Sequence, residues 1–221
     1  MATGIAVQRL NPKHREDIAR HLVALPEHDR YLRFGRAIRD QAINEYVDGL
    51  DFARDKLFGT FGPELNLIGV AHLALDHAAR SAELGLSVDP ASRVKGHGYA
   101  LLQRGLLHAA NRGYRTLFMH CLAENGVMLH LARKAGLLVV IQSSEADGRL
   151  KLSRNKHGSL LLEAAADQFA LVDNMLKQQY LWMAQAGIKS PASSTATDTD
   201  DERRGTAGAA KALQGPVPQR A

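Results

Sequence analysis

Cysteine is nearly absent: the 221-residue chain has one, Cys121. A single thiol closes no intramolecular disulfide and builds no Cys-based zinc cluster, so neither an oxidising compartment nor a zinc module is expected. Long apolar runs are missing too. The longest uninterrupted aliphatic stretch noted in the core is 137–141, far short of a membrane span, and residues 1–10 lack the basic-then-apolar pattern of a secretory leader. The expected location is the cytoplasm, without a membrane partner. Charge of one sign is scarce: 28 Lys plus Arg face 23 Asp plus Glu, and no Lys/Arg block occurs. That excess permits acidic partners, and nucleic acid is not expected. Ten histidines are present, but His14 and His21 are seven apart and His72 and His77 five apart. Neither spacing makes the adjacent pair of a His-Glu-x-x-His helix, so no metal site is expected.

What is there divides into three parts. Residues 1–158 alternate strand-like and helix-like patterns and read as one α/β domain. Residues 159–188 lack proline, and until Gly187 also glycine, and place Leu161, Ala164, Phe169, Val172, Leu176, Tyr180 and Met183 at helical intervals. This long amphipathic helix either packs on the core or makes a homodimer contact. Residues 189–221 contain few large apolar side chains, too few to offset the entropy of ordering, and are expected to be disordered.

Within the first part, residues 5–10 read as a strand. Asn11-Pro12 opens a helix to about Ala24, and a second helix spans about 40–49. Strands at 56–60 and 65–75 form a hairpin around Gly62-Pro63, and 82–88 is a further strand. A helix at 98–111 closed by Gly113, a strand at 116–121, a helix at 125–135 closed by Gly136, and strands at 138–142 and 149–152 complete the domain. The fold expected is a mixed, mostly antiparallel sheet with helices on both faces, in which strands 82–88 and 116–121, joined by a helix, run parallel.

The most informative segment is 82–100, where a strand ends and a helix opens at Arg93-x-x-Gly96-x-Gly98. Gly96 and Gly98 permit positive φ and close approach, successive N–H groups face a concavity, and the helix N-terminus favours an anion. Arg93, Lys95 and His97 add cations, with Val94 between them. Phosphate suits such a cradle. A Walker A loop would need Gly-Lys-Ser/Thr, which is absent, and a dinucleotide fingerprint lacks its third glycine because Leu101 stands there. Glu124 keeps that second reading open as a mimic of the ribose acid.

Val88-Asp89-Pro90 followed by Arg93-x-x-Gly96-x-Gly98 resembles, without a gap, the acyl-CoA motif of the GNAT superfamily of N-acyltransferases. Asn125 followed by the 131–137 run Leu-Ala-Arg-Lys-Ala-Gly-Leu is similar to the family's second element, and the strand order of residues 3–153 resembles the family's as well. The resemblance implies a GNAT fold, acetyl-CoA as cosubstrate, and an amine acceptor, either a small molecule or a protein lysine. It further implies that Leu86, Ser87 and Val88 pair with the pantetheine arm, that Arg93, Val94, Lys95, Gly96, His97 and Gly98 hold the pyrophosphate, and that Asn125 lies near the thioester. The stretch 29–39 looks like that of bacterial GNAT domains acting on protein lysines. Its Arg30, Arg33, Arg36 and Arg39 recur every third residue, as a binding strip or a solvated face.

Acyl transfer needs a neutral amine, whereas a lysine-like amine of pKa about 10.4 is mostly protonated, so a general base belongs near the thioester. Two side chains qualify, each with a plain structural role as the alternative. Glu83 shares a strand face with Gly85 and Ser87, opposite Leu84, Leu86 and Val88, and that small polar face would admit a substrate. His120 lies where some members of the resembling family carry a carboxylate base. The tyrosine that serves such enzymes as acid is replaced by Ala132, leaving water, His130 or another tyrosine for that role. Cys121 sits opposite His120 with no activating partner, which favours direct attack in a ternary complex over an acyl-cysteine. The missing tyrosine also keeps an acyl-CoA sensor in view.

Overall fold

The computed structural model describes residues 4–153 and 158–185. One sheet contains β1 (Gln8–Arg9), β2 (Lys56–Phe61), β3 (Leu67–Asp76), β4 (Ser81–Val88), β5 (Thr116–Leu122), β6 (Leu138–Gln142) and β7 (Glu145–Lys151) in the order β1-β2-β3-β4-β5-β7-β6. Every neighbouring pair is antiparallel except β4 with β5, which is parallel. The crossover between those two is α4 (His97–Asn111), as a parallel pair requires.

Helices cover both faces. On one, Leu101, Leu102 and Leu106 of α4 and Ala132 of α5 (Gly126–Lys134) pack on Leu73, Leu84 and Leu117. On the other, Ile18 and Leu22 of α1 (Arg15–Ala24) and Ile43 and Val47 of α3 (Asp40–Asp48) pack on Leu57 and Val70. The period of two in β2 decides the split, since Leu57 joins one cluster and its neighbour Phe58 the other. Fully burying a leucine contributes about 1.5–3 kcal/mol, so these two layers hold the sheet rigid around whatever interrupts it.

The expected elements recur with differences. Asn11 caps a short 3-10 turn (Pro12–His14), accepting from the Lys13 N–H at 3.0 Å, before α1 starts. The strand expected at 5–10 pairs with β2 only at Gln8 and Arg9. The strand expected at 149–152 begins earlier, at Glu145, because Ser143 at φ 55 turns the chain and permits the pairing Gln142↔Glu145. An unforeseen helix, α2 (Glu27–Phe34), fills the stretch read only as a lead into the next helix. It starts after Pro26 and stops at Gly35, whose φ of 71 closes the last turn by donating N–H to Tyr31 O.

The long helix α6 (Gly158–Gln185) docks against α4 and β1. Its anchor is polar. Arg104, only 4% exposed, donates to Glu163 and Asp167, and His108 Nδ1 and Asn111 Nδ2 reach the same Glu163 carboxylate at 2.6 and 2.7 Å. Burial alone would raise the carboxyl's pKa, but these donors outweigh it and hold it down at about 2. Phe169, Leu171, Val172, Met175, Leu176, Tyr180 and Trp182 of α6 remain exposed. Positions 186–188 of the expected helix and the tail 189–221 lie outside the described residues.

Candidate active site

The site exists because two parallel strands part. The β4–β5 pairing runs from Ser81↔Thr116 to Glu83↔Phe118 and stops, although both strands continue. On its other edge β4 stays paired with β3 as far as Gly69↔Val88, and the Asp89 N–H donates to Ile68 O at 2.8 Å. By alternation Gly85 and Ser87 spend their backbone groups on β3, whereas Leu86 and Val88 turn theirs toward the gap. An extended polar chain entering there meets a ready strand edge.

Above the gap runs a cleft of about 580 Å³, lined by Leu86, Val88, the 92–99 loop and helix start, Asn125 and the first turns of α5. Pro90–Ser92 forms a short 3-10 turn capped by Asp89, and the chain then enters the loop with Val94 at φ 63 and Gly96 at φ 93. Gly96 is the N-cap of α4 and no side chain caps it, so the first N–H groups of the helix are left for a ligand. A Cβ on Gly98 would come within 3.2 Å of Leu131 Cδ1 and 3.7 Å of Val88 Cγ2, so glycine keeps the cleft open at its narrowest point. His97 Nδ1 is buried with no hydrogen-bond partner. Burial, then Lys95 and Lys177, lower the His97 pKa, so the ring is neutral near pH 7. Lys95 bonds Ala91 O at 3.1 Å, and Val94 is fully exposed at the rim.

Two residues expected here line the cleft with side chains that are already bonded to other protein groups. The Ser87 side chain points to the opposite face, where its hydroxyl donates to Nε2 of buried His21 at 3.0 Å while His21 Nδ1 donates to Leu67 O at 3.2 Å. Burial drives His21 down to about 4, so the ring is neutral and the serine is a support of the strand. Arg93 lines the cleft while pairing with Asp29 of α2 at 2.8 Å and donating to Val88 O at 3.2 Å. Asn125 caps α5, its Oδ1 accepting from Met128 N–H at 3.1 Å, and lines the cleft.

A second cavity of about 390 Å³ opens from the same gap and shares Leu32, Arg33, Leu86, Asn125 and Met128 with the first. Both candidate bases line it. Glu83 is exposed and sits opposite Phe118 on the shared sheet face, the face that also carries His120. His120 meets Asp147, its cross-strand neighbour on β7, at Nδ1···Oδ1 2.5 Å. Since a carboxylate only accepts, Nδ1 carries the proton and the Nε2 lone pair is left to take one. Cys121 also lines this cavity, but burial and the Asp147 charge push its thiol up, so it stays protonated and unreactive. The space over Gly85, expected to admit substrate, is filled by Arg33, whose Cζ would lie 2.9 Å from a Cβ there. Arg33 Nε is buried without a partner.

Asp147 and the group behind Arg33 were invisible in the sequence reading. Arg33 donates to Tyr46 Oη at 3.3 Å, Tyr46 Oη meets His72 Nδ1 at 2.7 Å, and His72 Nε2 meets Asp55 at 2.9 Å. Because Asp55 accepts from Nε2–H, Nδ1 is the acceptor and Tyr46 donates to it. Burial lowers the His72 pKa despite Asp55, which keeps this tautomer neutral. The only signal that could have hinted at the group is His72 on the face of β3 that alternation assigns beside Gly85. His130 lines the first cleft from the exposed face of α5, and Ala132, at the place where the resemblance implies a tyrosine, is buried. Among the described residues, no group of three or more His, Cys, Asp or Glu is placed to hold a metal, and no helix is long and apolar enough to cross a membrane.

The profile of the Acetyltransferase (GNAT) family matches residues 22–137, just over half of the chain. The GNAT domain of S. lividans PAT is similar at 17% identity and a TM-score of 0.57, over 66% of this chain and 89% of that one. Spermidine N-acetyltransferase from Vibrio cholerae, solved with CoA and spermine, is similar at 17% identity and TM-score 0.55, over 68% and 97%. A ribosomal-protein-alanine N-acetyltransferase from Brucella melitensis matches at 14% identity and TM-score 0.55, over 66% and 99%. At these identities the likeness shows the fold. No curated protein sequence matches the chain.

Proposed function

Because the chain belongs to the GNAT family of acetyltransferases, we propose that it transfers an acetyl group from acetyl-CoA to a primary amine by direct attack in a ternary complex. The observation that carries this reading is the meeting of two cavities at the β4–β5 gap, one with an uncapped helix N-terminus and the other with Glu83 and the His120–Asp147 pair. Acetyl-CoA supplies an activated acyl thioester. The residues fit it: the 94–98 N–H groups suit the pyrophosphate, the free backbone edge of Leu86 and Val88 suits the pantetheine amides, and the buried Nδ1 of His97 lacks a partner. An N–H of that edge facing the thioester carbonyl favours negative charge on its oxygen. Asn125 Nδ2 is left for the same region once Oδ1 has capped α5.

Either Glu83 or His120 would take the proton from the incoming ammonium, with Asp147 holding the His120 tautomer in the second case. The protonated thiol of Cys121 supports direct transfer over a covalent relay. Three carboxylates, Glu83, Glu145 and Asp147, outnumber the single arginine in the acceptor cavity, which suits a cationic small amine or a lysine in a basic segment. The work is placed in the cytoplasm, in keeping with one thiol and no cysteine pair. We assign residues 1–158 to catalysis, 159–188 to an appended helix and 189–221 to a tail. The exposed apolar side of α6 supports a homodimer through that helix.

The buried Ala132 in place of a phenol favours a second reading, an acyl-CoA sensor with little turnover. One experiment separates the two: the protein is titrated with acetyl-CoA and then assayed for free thiol release against polyamines, amino acids and lysine peptides. Binding with amine-dependent release supports the enzyme. Binding with no release from any amine overturns it in favour of the sensor, and no binding overturns both.

A further inference from the structure

At the far end of the same sheet lies a third cavity, of about 470 Å³, whose walls carry Arg9, Arg54, Lys56, Arg80 and Arg112 and no carboxylate. The five cations come from separate parts of the chain: β1, the turn into β2, the start of β2 itself, the β3–β4 turn, and the residues after α4. No charge run in the sequence announces them. Among the described residues, none of the four arginines forms a salt bridge, although the protein pairs Arg20, Arg30, Arg93 and Arg104 with carboxylates elsewhere. The cost of crowding them is visible at Lys56, whose pKa is lowered by burial and next by Arg9, against the opposing pull of Asp55 and Asp51.

The cavity wall is built rather than incidental. Lys56 Nζ is held by Ala53 O at 2.7 Å and Asp55 O at 2.9 Å. The Arg80 side chain lies over Gly113, with its Nη2 3.9 Å from where a Cβ there would stand. Tyr114 Oη and His77 Nδ1 are bonded at 2.8 Å. At the back stands His108, 1% exposed and held by its Nδ1 donating to Glu163. The carbonyl end of α4, which would repel an anion, is closed by N–H groups of Arg112, Gly113 and Tyr114.

We infer that this cavity is a second ligand site, for a small polyphosphorylated anion, either a nucleoside triphosphate or inorganic polyphosphate. Convergent guanidinium groups take phosphate oxygens in pairs, and several together match a charge of about −3 to −4. The concave volume suits one such molecule and not a nucleic-acid backbone, which is tracked by an extended stripe. The site is distinct from the cofactor cleft: the fifteen residues of α4 separate the His97 and Arg112 ends by about 22 Å.

The test is calorimetric titration of the full chain at about 150 mM salt with tripolyphosphate and, separately, with ATP, on three proteins. Wild type should bind at least one of them with micromolar affinity, and the better of the two identifies the source. Arg80→Glu/Arg112→Glu, two exposed positions, should weaken that binding by at least about 30-fold while leaving acetyl-CoA affinity unchanged. The milder Arg54→Ala/Arg112→Ala should move the same way and covers any folding defect in the charge reversal. Gly98→Leu should lose acetyl-CoA and keep the polyphosphate. No binding by wild type, or binding lost in Gly98→Leu and kept in the charge reversals, overturns the site. Tighter binding of a single-stranded oligonucleotide than of either small anion also overturns it, in favour of a nucleic-acid surface. Failure of the acetyl-CoA reading would show in the acetyl-CoA arm alone.

Discussion

Acid should weaken this protein through His21 well before its carboxylates protonate. The ring is buried between Leu67 O and the Ser87 hydroxyl, and its folded pKa of about 4 lies below the ordinary 6.5. Between those values the unfolded chain holds a proton that the folded one refuses, so stability rises with pH across the window and falls on acidification. With these two values the loss from pH 7 to pH 5 is about 2 kcal/mol, or roughly 4–8 °C in Tm for a domain of this size. His72, lowered for the same reason, adds in the same direction. The assay is urea unfolding at pH 7 and pH 5, for wild type and His21→Gln, whose amide can keep both hydrogen bonds without titrating. The variant should show a pH dependence smaller by about 2 kcal/mol. An equal dependence in the two proteins would refute the argument that His21 is held neutral. Since His21 braces β4 through Ser87, the same acidification should also loosen the strand that lines the candidate cleft.

Gly98→Leu should weaken acetyl-CoA binding by more than about 100-fold, because its side chain enters the cleft against Leu131 and Val88, and calorimetry reads it. Glu83→Gln and His120→Ala, tested singly, should lower kcat by about 10²–10⁴ at whichever is the base, with acetyl-CoA affinity intact. Asp147→Asn should reproduce a smaller part of the His120 effect, acting through the ring. Glu163→Ala should cost roughly 3 kcal/mol by leaving Arg104 half-paired and His108 without its acceptor. That carboxylate's contribution is present above pH 4.5 and disappears as pH falls toward its folded value of about 2, a window lower than that of His21. Denaturant unfolding followed by tryptophan fluorescence checks it, since Trp182 lies on α6.

The parts of the fold that follow from local chemistry were legible. Asn11-Pro12 starts the first helical turn, Gly113 and Gly136 stop α4 and α5 at positive φ, and glycines with flanking cations mark the loop before α4. Helix α2 was equally legible from Pro26 and Gly35, but its polar, arginine-rich body hid the pattern. Asp147 was not legible. It reaches His120 only because β7 begins at Glu145 and aligns with β5 at the register His120↔Asp147, which a single-strand reading starting at Arg149 cannot supply. The Asp55–His72–Tyr46 group and the five-cation cavity share this origin, since each joins residues whose separation in sequence carries no period.

Some of the unmet polar groups gather at the candidate site. Buried polar groups normally have partners, and this protein spends many of its own on that: Ser87 serves His21, Tyr46 serves His72, and Glu163 gathers three donors. The gap between β4 and β5 breaks the pattern. Arg33 Nε and His97 Nδ1 lie beside it without partners, the α4 N-terminus has no side-chain cap, and one edge of β4 runs on without a strand. Each such group costs about 1–3 kcal/mol if it stays dry and unmatched. A sheet can carry that cost only where the flanking layers hold its strands apart, which the leucine layer under α4 and the His21–Ser87 brace on the other face do here. Closing the gap by extending the β4–β5 ladder would satisfy the strand edge and remove the room that the proposed acyl-CoA needs, so on that proposal the edge is left unsatisfied for the ligand.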